Sequence, residues 1–257
     1  MFKYPKEEKQ LAHYYNTETA QKEFMQTGEN WLLSTLSTVP GINTIFDVGC
    51  NRGEWTRLAR GFFPNAKIHS FEIIPEVYQN FLNNNVLDKN VIPNGFGLSK
   101  EIGSLQMKYC PADDTLNTHL GMLSPGSING MPFHWRECLT VTGDFYMKFH
   151  NLPRIDILKI DVEGAEHMVM QGFKENMSNG NVGLIQFEYG TANIVARWLL
   201  VDTNEFLSPL GYVFGKLRHG GVDFRPYDLN QENFLGPNIV AVHRSRTDIL
   251  SALGVKS

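Results

Sequence analysis

Thr44-Ile45-Phe46-Asp47-Val48-Gly49-Cys50-Asn51-Arg52-Gly53 is the stretch on which the fold turns. Ile45, Phe46 and Val48 are the β-branched and aromatic residues of a buried parallel strand, Gly49 and Gly53 are turn glycines, and Glu54-Trp55-Thr56-Arg57-Leu58-Ala59 begins a helical pattern. The turn reads as a ligand-binding loop, because glycines without a Cβ let a ligand and the backbone approach closely.

The glycine spacing and the flanking charges select the ligand. A dinucleotide site carries G-x-G-x-x-G, whereas Gly49 to Gly53 offers only G-x-x-x-G, so the middle glycine that admits a pyrophosphate is missing. Asp47 before the turn and Glu54 after it put negative charge where the helix N-terminus would receive a diphosphate. A cation suits the loop better. S-adenosylmethionine carries a sulfonium and an ammonium and no phosphate, and D-V-G-x-x-x-G resembles the loop of class I methyltransferases. A plain strand-to-helix turn and a nicotinamide-dependent oxidoreductase are the alternatives.

About twenty residues past the loop, Ala66 to Ile74 forms a second strand with Glu72 near its carboxyl end, where an acid can accept hydrogen bonds from both hydroxyls of an adenosine ribose. Pro75 starts the next helix. Val91 to Ser99 is a strand passing into a glycine-bearing loop that borders the adenine by position, with Phe96 and Leu98 suited either to the ring or to the core. Residues 104–109 and 137–142 read as a side hairpin. Between them Pro111 to Trp135 is irregular, and a loop of that length in a compact domain is assigned to acceptor recognition, with a surface insertion as the alternative.

Upstream, residues 7–39 read as helix in two pieces separated near Thr27-Gly28, suited to cover the sheet, to lid the cofactor or to form a subunit contact. The expected division is a helical extension over 1–41 and one domain over 42–257. At 257 residues the chain supports a substantial core, and its net charge of −4 gives no reason to expect a nucleic acid as partner. Three cysteines without C-x-x-C spacing indicate neither a disulfide framework nor a zinc knuckle, so reducing cytoplasm is the expected compartment. The charged N-terminus and the lack of any run of about 18 apolar residues point to a soluble protein with no membrane partner.

Downstream, Ile155 to Asp161 is a further buried strand that turns through Val162-Glu163-Gly164-Ala165-Glu166-His167 into a helix, and Val182 to Gly190 is another, again ending on an acid, Glu188. A helix follows at about 192–201, with a further piece around 203–208. Residues 211–217 and 238–243 close the chain as two strands joined by a long loop holding Arg218, His219, Asp223, Arg225, Tyr227 and Asp228, a second candidate for acceptor contacts.

With both acidic turns in view, the sequence resembles the FkbM family of S-adenosylmethionine-dependent methyltransferases over about Thr44 to His243. Its most specific piece, Asp156-Ile157-Leu158-Lys159-Ile160-Asp161-Val162-Glu163-Gly164-Ala165-Glu166, is similar to that family's D-x-L-K-I-D-V-E-G-x-E signature. Val141-Thr142-Gly143-Asp144 is similar to its T-L-D element, with Gly143 in place of leucine. The resemblance implies an α/β, Rossmann-like sheet of seven strands, mostly parallel with the last antiparallel, and the cofactor over the carboxyl ends. Members usually methylate hydroxyl oxygens of sugars or natural products.

The candidate cofactor-binding residues are Asp47, Gly49, Asn51, Gly53, Glu72, Ile73, Gly97, Leu98 and Asp161. Methyl transfer from a sulfonium needs alignment and removal of the acceptor's proton. Asp161 and Glu188 end strands expected to be neighbours, so Asp161, Glu163, Glu188 and His219 are the catalytic candidates, with His167 as a further imidazole. Asp161 and Glu188 could alternatively hold a magnesium ion. No third oxygen ligand can be named from the sequence, so the metal-free site is preferred. The expected acceptor is a hydroxylated small molecule, a sugar, nucleotide-sugar or natural product; a homo-oligomer is compatible with the sequence. A scaffold that kept the fold without chemistry is the non-enzymatic alternative, which the acids at 161, 163 and 188 argue against.

Overall fold

The structure, a computed structural model, describes residues 27–85, 88–111, 117–119, 133–234 and 238–255. In chain order the main elements are helix α1 (Glu29–Leu36), β1 (Thr44–Val48), α2 (Glu54–Phe62), β2 (Lys67–Phe71), α3 (Pro75–Asn85), β3 (Val91–Asn94), β4 (Gly97–Leu98), β5 (Gly103–Tyr109), β6 (His134–Val141), α4 (Gly143–Phe149) and β7 (Ile155–Ile160). They continue with α5 (Glu166–Gln171), α6 (Lys174–Ser178), β8 (Val182–Glu188), α7 (Ala192–Ala196), α8 (Leu200–Leu207), β9 (Tyr212–Arg218), β10 (Gly221–Phe224), β11 (Asn238–His243) and α9 (Thr247–Ala252).

The main sheet has the order β10-β9-β11-β8-β7-β1-β2-β3, and β4-β6-β5 forms a small side sheet. β1 pairs in parallel with β2 and β7, β2 with β3, and β7 with β8, whereas β11 runs antiparallel between β8 and β9. The chain leaves β1 towards β3 and returns to β7 on its other side. That reversal opens a crevice above the carboxyl ends of β1 and β7, the position where open α/β sheets bind ligands.

Seven strands follow the expected order, and β10 is an eighth. It pairs antiparallel with β9 across a tight turn at His219 and Gly220, inside the stretch expected to be loop. Val222 and Phe224 of β10 pack against core residues, which supplies the apolar alternation a short edge strand needs. The helix expected at about 192–201 is two pieces, because Arg197 takes a left-handed conformation at φ 56° and ends α7.

Alternation along the central strands divides the core. Ile45, Ile157, Leu184 and Val240 face one side, against Leu32, Leu33 and Leu36 of α1, Trp55 and Ala59 of α2 and Ile249 of α9. Phe46, Leu158, Ile185 and Ala241 face the other, against Tyr146, Met147, Val169, Met170 and Phe173. The described part of the N-terminal segment therefore covers the sheet and shares its core. Phe96 and Leu98 belong to the core as well. Cys50, Cys110 and Cys138 are buried, and none is in a disulfide among the described residues. Among the described residues no helix is long and apolar enough to cross a membrane.

Candidate active site

The glycine loop is shaped mainly by its own chain. Gly49 has φ 80°, and a Cβ there would lie 1.8 Å from the Asp161 carbonyl oxygen, so glycine is required for the turns after β1 and β7 to meet. Gly49 and Cys50 both donate backbone N–H bonds to the Phe71 carbonyl, at 2.9 Å each. Asn51 is left-handed at φ 48°, and Gly53, at φ 88°, precedes α2 as its N-cap. The Asn51 N–H donates to Glu72 Oε2 at 3.1 Å and the Ile74 N–H to Oε1 at 2.8 Å, which fixes the Glu72 carboxylate beside the loop. Gly97 is small because Ile73 occupies the space: a Cβ would come within 2.6 Å of Ile73 Cδ1. Ile73, Gly97 and Leu98 thus adjoin one another at the β2 side of the crevice.

Asp47 needs a correction as a direct cofactor ligand. It is fully buried, accepts a bond from Thr56 Oγ1 at 2.6 Å and pairs with Lys159 Nζ at 3.2 Å. Its charge is spent beneath the loop, where it ties β1, α2 and β7 together. Lys159 also reaches Asp161 Oδ2 at 3.4 Å. Burial alone would favour the neutral amine, but Asp47, Asp161 and Glu29 overcome it and hold the Lys159 ammonium well above its ordinary range.

The remaining signature acids divide by role. Asp156 lies at the amino end of β7, where its carboxylate accepts the Asn43 and Thr44 N–H groups at 2.8 and 3.0 Å and pairs with Arg246 at 3.1 Å, holding the start of β1. Glu166 Oε1 accepts the Val162 and Gly164 N–H groups at 3.0 and 3.2 Å and closes the turn after β7. Glu163 (φ 52°) and Gly164 (φ 98°) are both left-handed in that turn.

Ile160 pairs with Phe187, so the next residues, Asp161 and Glu188, stand side by side at the carboxyl edge. The turn adds Glu163, and one carboxylate oxygen from each of Asp161, Glu163 and Glu188 lies within 4.8 Å of the others. Three charges this close repel by roughly 3–4 kcal/mol per pair near a protein surface. Burial, then Asp161, Glu163 and Glu166, push the Glu188 carboxyl well above its usual range, and burial raises Glu166 to about 7. Glu163, Glu166 and Glu188 line one open cleft together with Gly190, Thr191 and Asn193. Glu163 is the third oxygen donor that sequence spacing could not supply.

The histidines separate. His219 is exposed in the turn between β9 and β10, and β11 stands between β9 and Glu188, two strand spacings or roughly 10 Å along the sheet. The structure does not bring His219 to the carboxylates, because the hairpin carries it past the sheet edge. His167 stacks on Trp198 at 5.0 Å, and burial lowers its proton affinity. Residues 117–119 form a strap beside it: Thr118 Oγ1 donates to the Glu163 carbonyl at 2.7 Å, and partial burial lowers the proton affinity of His119. The strap belongs to the irregular stretch assigned to acceptor recognition, whose residues 112–116 and 120–132 lie outside the described residues.

Sequence reasoning missed Glu29. It is 6% exposed, accepts bonds from Thr27 Oγ1 at 2.8 Å and Gln186 Nε2 at 2.6 Å, and burial, opposed by Lys159, raises it to about 7. An acid in a first helical turn normally complements the helix dipole, so its type and position carried no signal of this inward role. In the closing loop Glu232 accepts from Tyr189, from Tyr227 at 2.9 Å and from the Val201 N–H at 2.8 Å, tying that loop to the start of α8. Arg225 pairs with Asp223 within the same loop.

Six parallel strands in this order, a reversed β11 inserted between β8 and β9, a glycine loop at the crevice and acids on β2, β7 and β8 define a protein of the class I methyltransferase type. The chain belongs to the FkbM methyltransferase family, S-adenosylmethionine-dependent enzymes whose domain, described as Methyltransferase FkbM domain, matches residues 47–214. It is similar to Methyltransferase 1 of Beauveria bassiana, 28% identical over 150 residues covering 53% of this chain and 60% of that protein. It is also similar to the hexuronic acid methyltransferase AglP of Haloferax volcanii, 24% identical and covering 58% and 57% of the two chains. The chain thus spans less than two thirds of these relatives. An S-adenosylmethionine-dependent O-methyltransferase from Thermotoga maritima superposes over 93% of this chain and 71% of that one, at 10% identity and a TM-score of 0.44. A superposition that loose adds nothing to the assignment, which stands on the strand order and the family.

Proposed function

We propose that the protein is an S-adenosylmethionine-dependent O-methyltransferase acting on a hydroxyl of a small acceptor, a sugar, a nucleotide-linked sugar or a natural product. The observation that carries this reading is the placement of Asp161 and Glu188 side by side at the carboxyl edge, one turn from the glycine loop. The residues fit the cofactor chemically: Glu72 offers a fixed carboxylate for ribose hydroxyls, and the crevice offers acids rather than the amide cradle a diphosphate needs. When bound, S-adenosylmethionine supplies a methyl group on a sulfonium that becomes neutral as the group leaves.

The residues of this chain then have two tasks. The loop of Gly49, Asn51 and Gly53, with Glu72, Ile73 and Gly97, would hold the adenosyl group, and the carboxylates would take the acceptor's proton. The acceptor's O–H bond breaks, its proton passes to a carboxylate, and the oxygen's electron pair forms the new bond to carbon. Glu188 suits this role, since burial and its acidic neighbours raise its proton affinity and so make it the stronger base. Similarity to the hexuronic acid methyltransferase of Haloferax volcanii supports placing uronic acids first among acceptors to be screened.

Glu188→Gln tests the site once an acceptor is in hand. Turnover is expected to fall by roughly 10²-fold or more with little change in affinity for S-adenosylhomocysteine. Wild-type turnover in the variant would rule out the strand-end mechanism.

A further inference from the structure

We infer that Asp161, Glu163 and Glu188 bind a divalent cation of the hard, oxygen-preferring kind, magnesium or manganese. Their three oxygens lie within 4.8 Å of one another. Ligands about 2.1–2.5 Å from a shared ion lie at most roughly 4–5 Å apart, so the cluster has the span of a single coordination shell. The donor set is entirely carboxylate, with neither the imidazole nor the thiolate that would favour a softer metal.

Glu166 points to the same ligand independently. It is outside the triad and 3% exposed, and its Oε1 is used by the turn, but its Oε2 has no hydrogen-bond partner among the described residues. It lines the same cleft as Glu163 and Glu188. A buried carboxylate oxygen without a donor is a group that asks for one, and a water on a bound cation supplies it as an outer-shell contact. The cation already at hand, Lys159, is shared between Asp47 and Asp161, at 3.2 and 3.4 Å.

The cleft beside the triad is lined by Gly190, Thr191 and Asn193 and opens to solvent. An ion there would bind the acceptor's hydroxyl oxygen and weaken its O–H bond, the proton passing to a carboxylate oxygen of the cleft that the ion leaves free, while the oxygen's electron pair attacks the methyl carbon and the carbon–sulfur pair returns to sulfur. This role deepens the methyl-transfer reading and rests on it; the binding of the ion does not.

The test uses the full chain freed of metal with a chelator. Free Mn²⁺ is followed by electron paramagnetic resonance and displaced with Mg²⁺, while S-adenosylhomocysteine binding is measured calorimetrically on the same samples. The wild type is expected to take up Mn²⁺, to release it to Mg²⁺ and to melt at a higher temperature with Mn²⁺ present. Glu163→Gln and Glu188→Gln are each expected to weaken Mn²⁺ binding by about tenfold or more, and the exposed control Glu205→Gln to leave it unchanged. Should Glu188→Gln fail to fold, Glu163→Gln in the turn decides. Mn²⁺ left free by a wild type that binds S-adenosylhomocysteine overturns the metal site, as does wild-type uptake by Glu163→Gln. Mn²⁺ uptake without S-adenosylhomocysteine binding overturns the methyl-transfer reading instead.

Discussion

Individual residues carry much of this site, and several do so through contacts that no local pattern encodes. Gly143 stands where the family's T-L-D element has leucine, and a Cβ there would lie 2.2 Å from the Phe173 ring. The departure is a packing exchange, and the neighbouring Asp144 still works: it accepts the Glu175 and Asn176 N–H groups at 2.9 and 3.0 Å, at the start of α6. Gly143→Leu is therefore expected to destabilise the protein by about 1–3 kcal/mol in urea unfolding, and an unchanged midpoint would refute the packing explanation. Glu29 makes a pH-dependent contribution. Its carboxyl sits at about 7 in the fold against an ordinary 4.5, so the folded state holds more protons between those values. Stability from this group is present below about 4.5 and is lost as pH rises through about 7. Burial lowers His69 to about 4, which acts in the opposite sense between about 4 and 6.5. Comparison with Glu29→Gln isolates the first effect: from pH about 5 to about 8 the wild type is expected to lose on the order of 1–3 kcal/mol relative to the variant. Parallel curves for the two proteins would show that Glu29 is not the group responsible.

At the scale of elements, what could be read in the sequence follows its repeating signals. The apolar runs that became β1, β2, β7, β8 and β11 are strands buried along all but their ends, and their order follows from the glycine turn and the alternation with helices. β10 was not legible, because four residues with two apolar side chains, beginning at Gly221 and preceded by Gly220, read equally as loop. Asp47 and Asp161 belong to similar strand ends, yet Asp47 is level with Lys159 and points beneath the loop to it and to Thr56, whereas Asp161 lies two residues further on, past the end of β7, and reaches the edge. His219 was placed by type alone, and the hairpin turn that removes it from the acids is a product of pairing between β9 and β10. α1 lies before the matched family domain, but Leu32, Leu33 and Leu36 are completely buried against the sheet. Leu33→Ala is expected to cost about 2–5 kcal/mol, read as a fall in the urea midpoint. A loss below about 0.5 kcal/mol would mean that α1 is an appendage rather than a layer of the fold.

For the whole molecule, the fold and the acids have one organising logic. The two-sided core sets β1, β7 and β8 side by side, the crevice opens where the chain reverses direction, and the turns at the carboxyl ends of these strands and of β2 carry a glycine loop, a fixed Glu72 and three carboxylates. The central claim is that this crevice takes an adenosyl cation and not a dinucleotide. Calorimetric titration of the purified chain with S-adenosylhomocysteine, S-adenosylmethionine and NAD tests it most directly. Binding of both adenosyl ligands at micromolar affinity, about −8 kcal/mol, with no heat from NAD is the expected result. Binding of NAD without either adenosyl ligand would contradict the account.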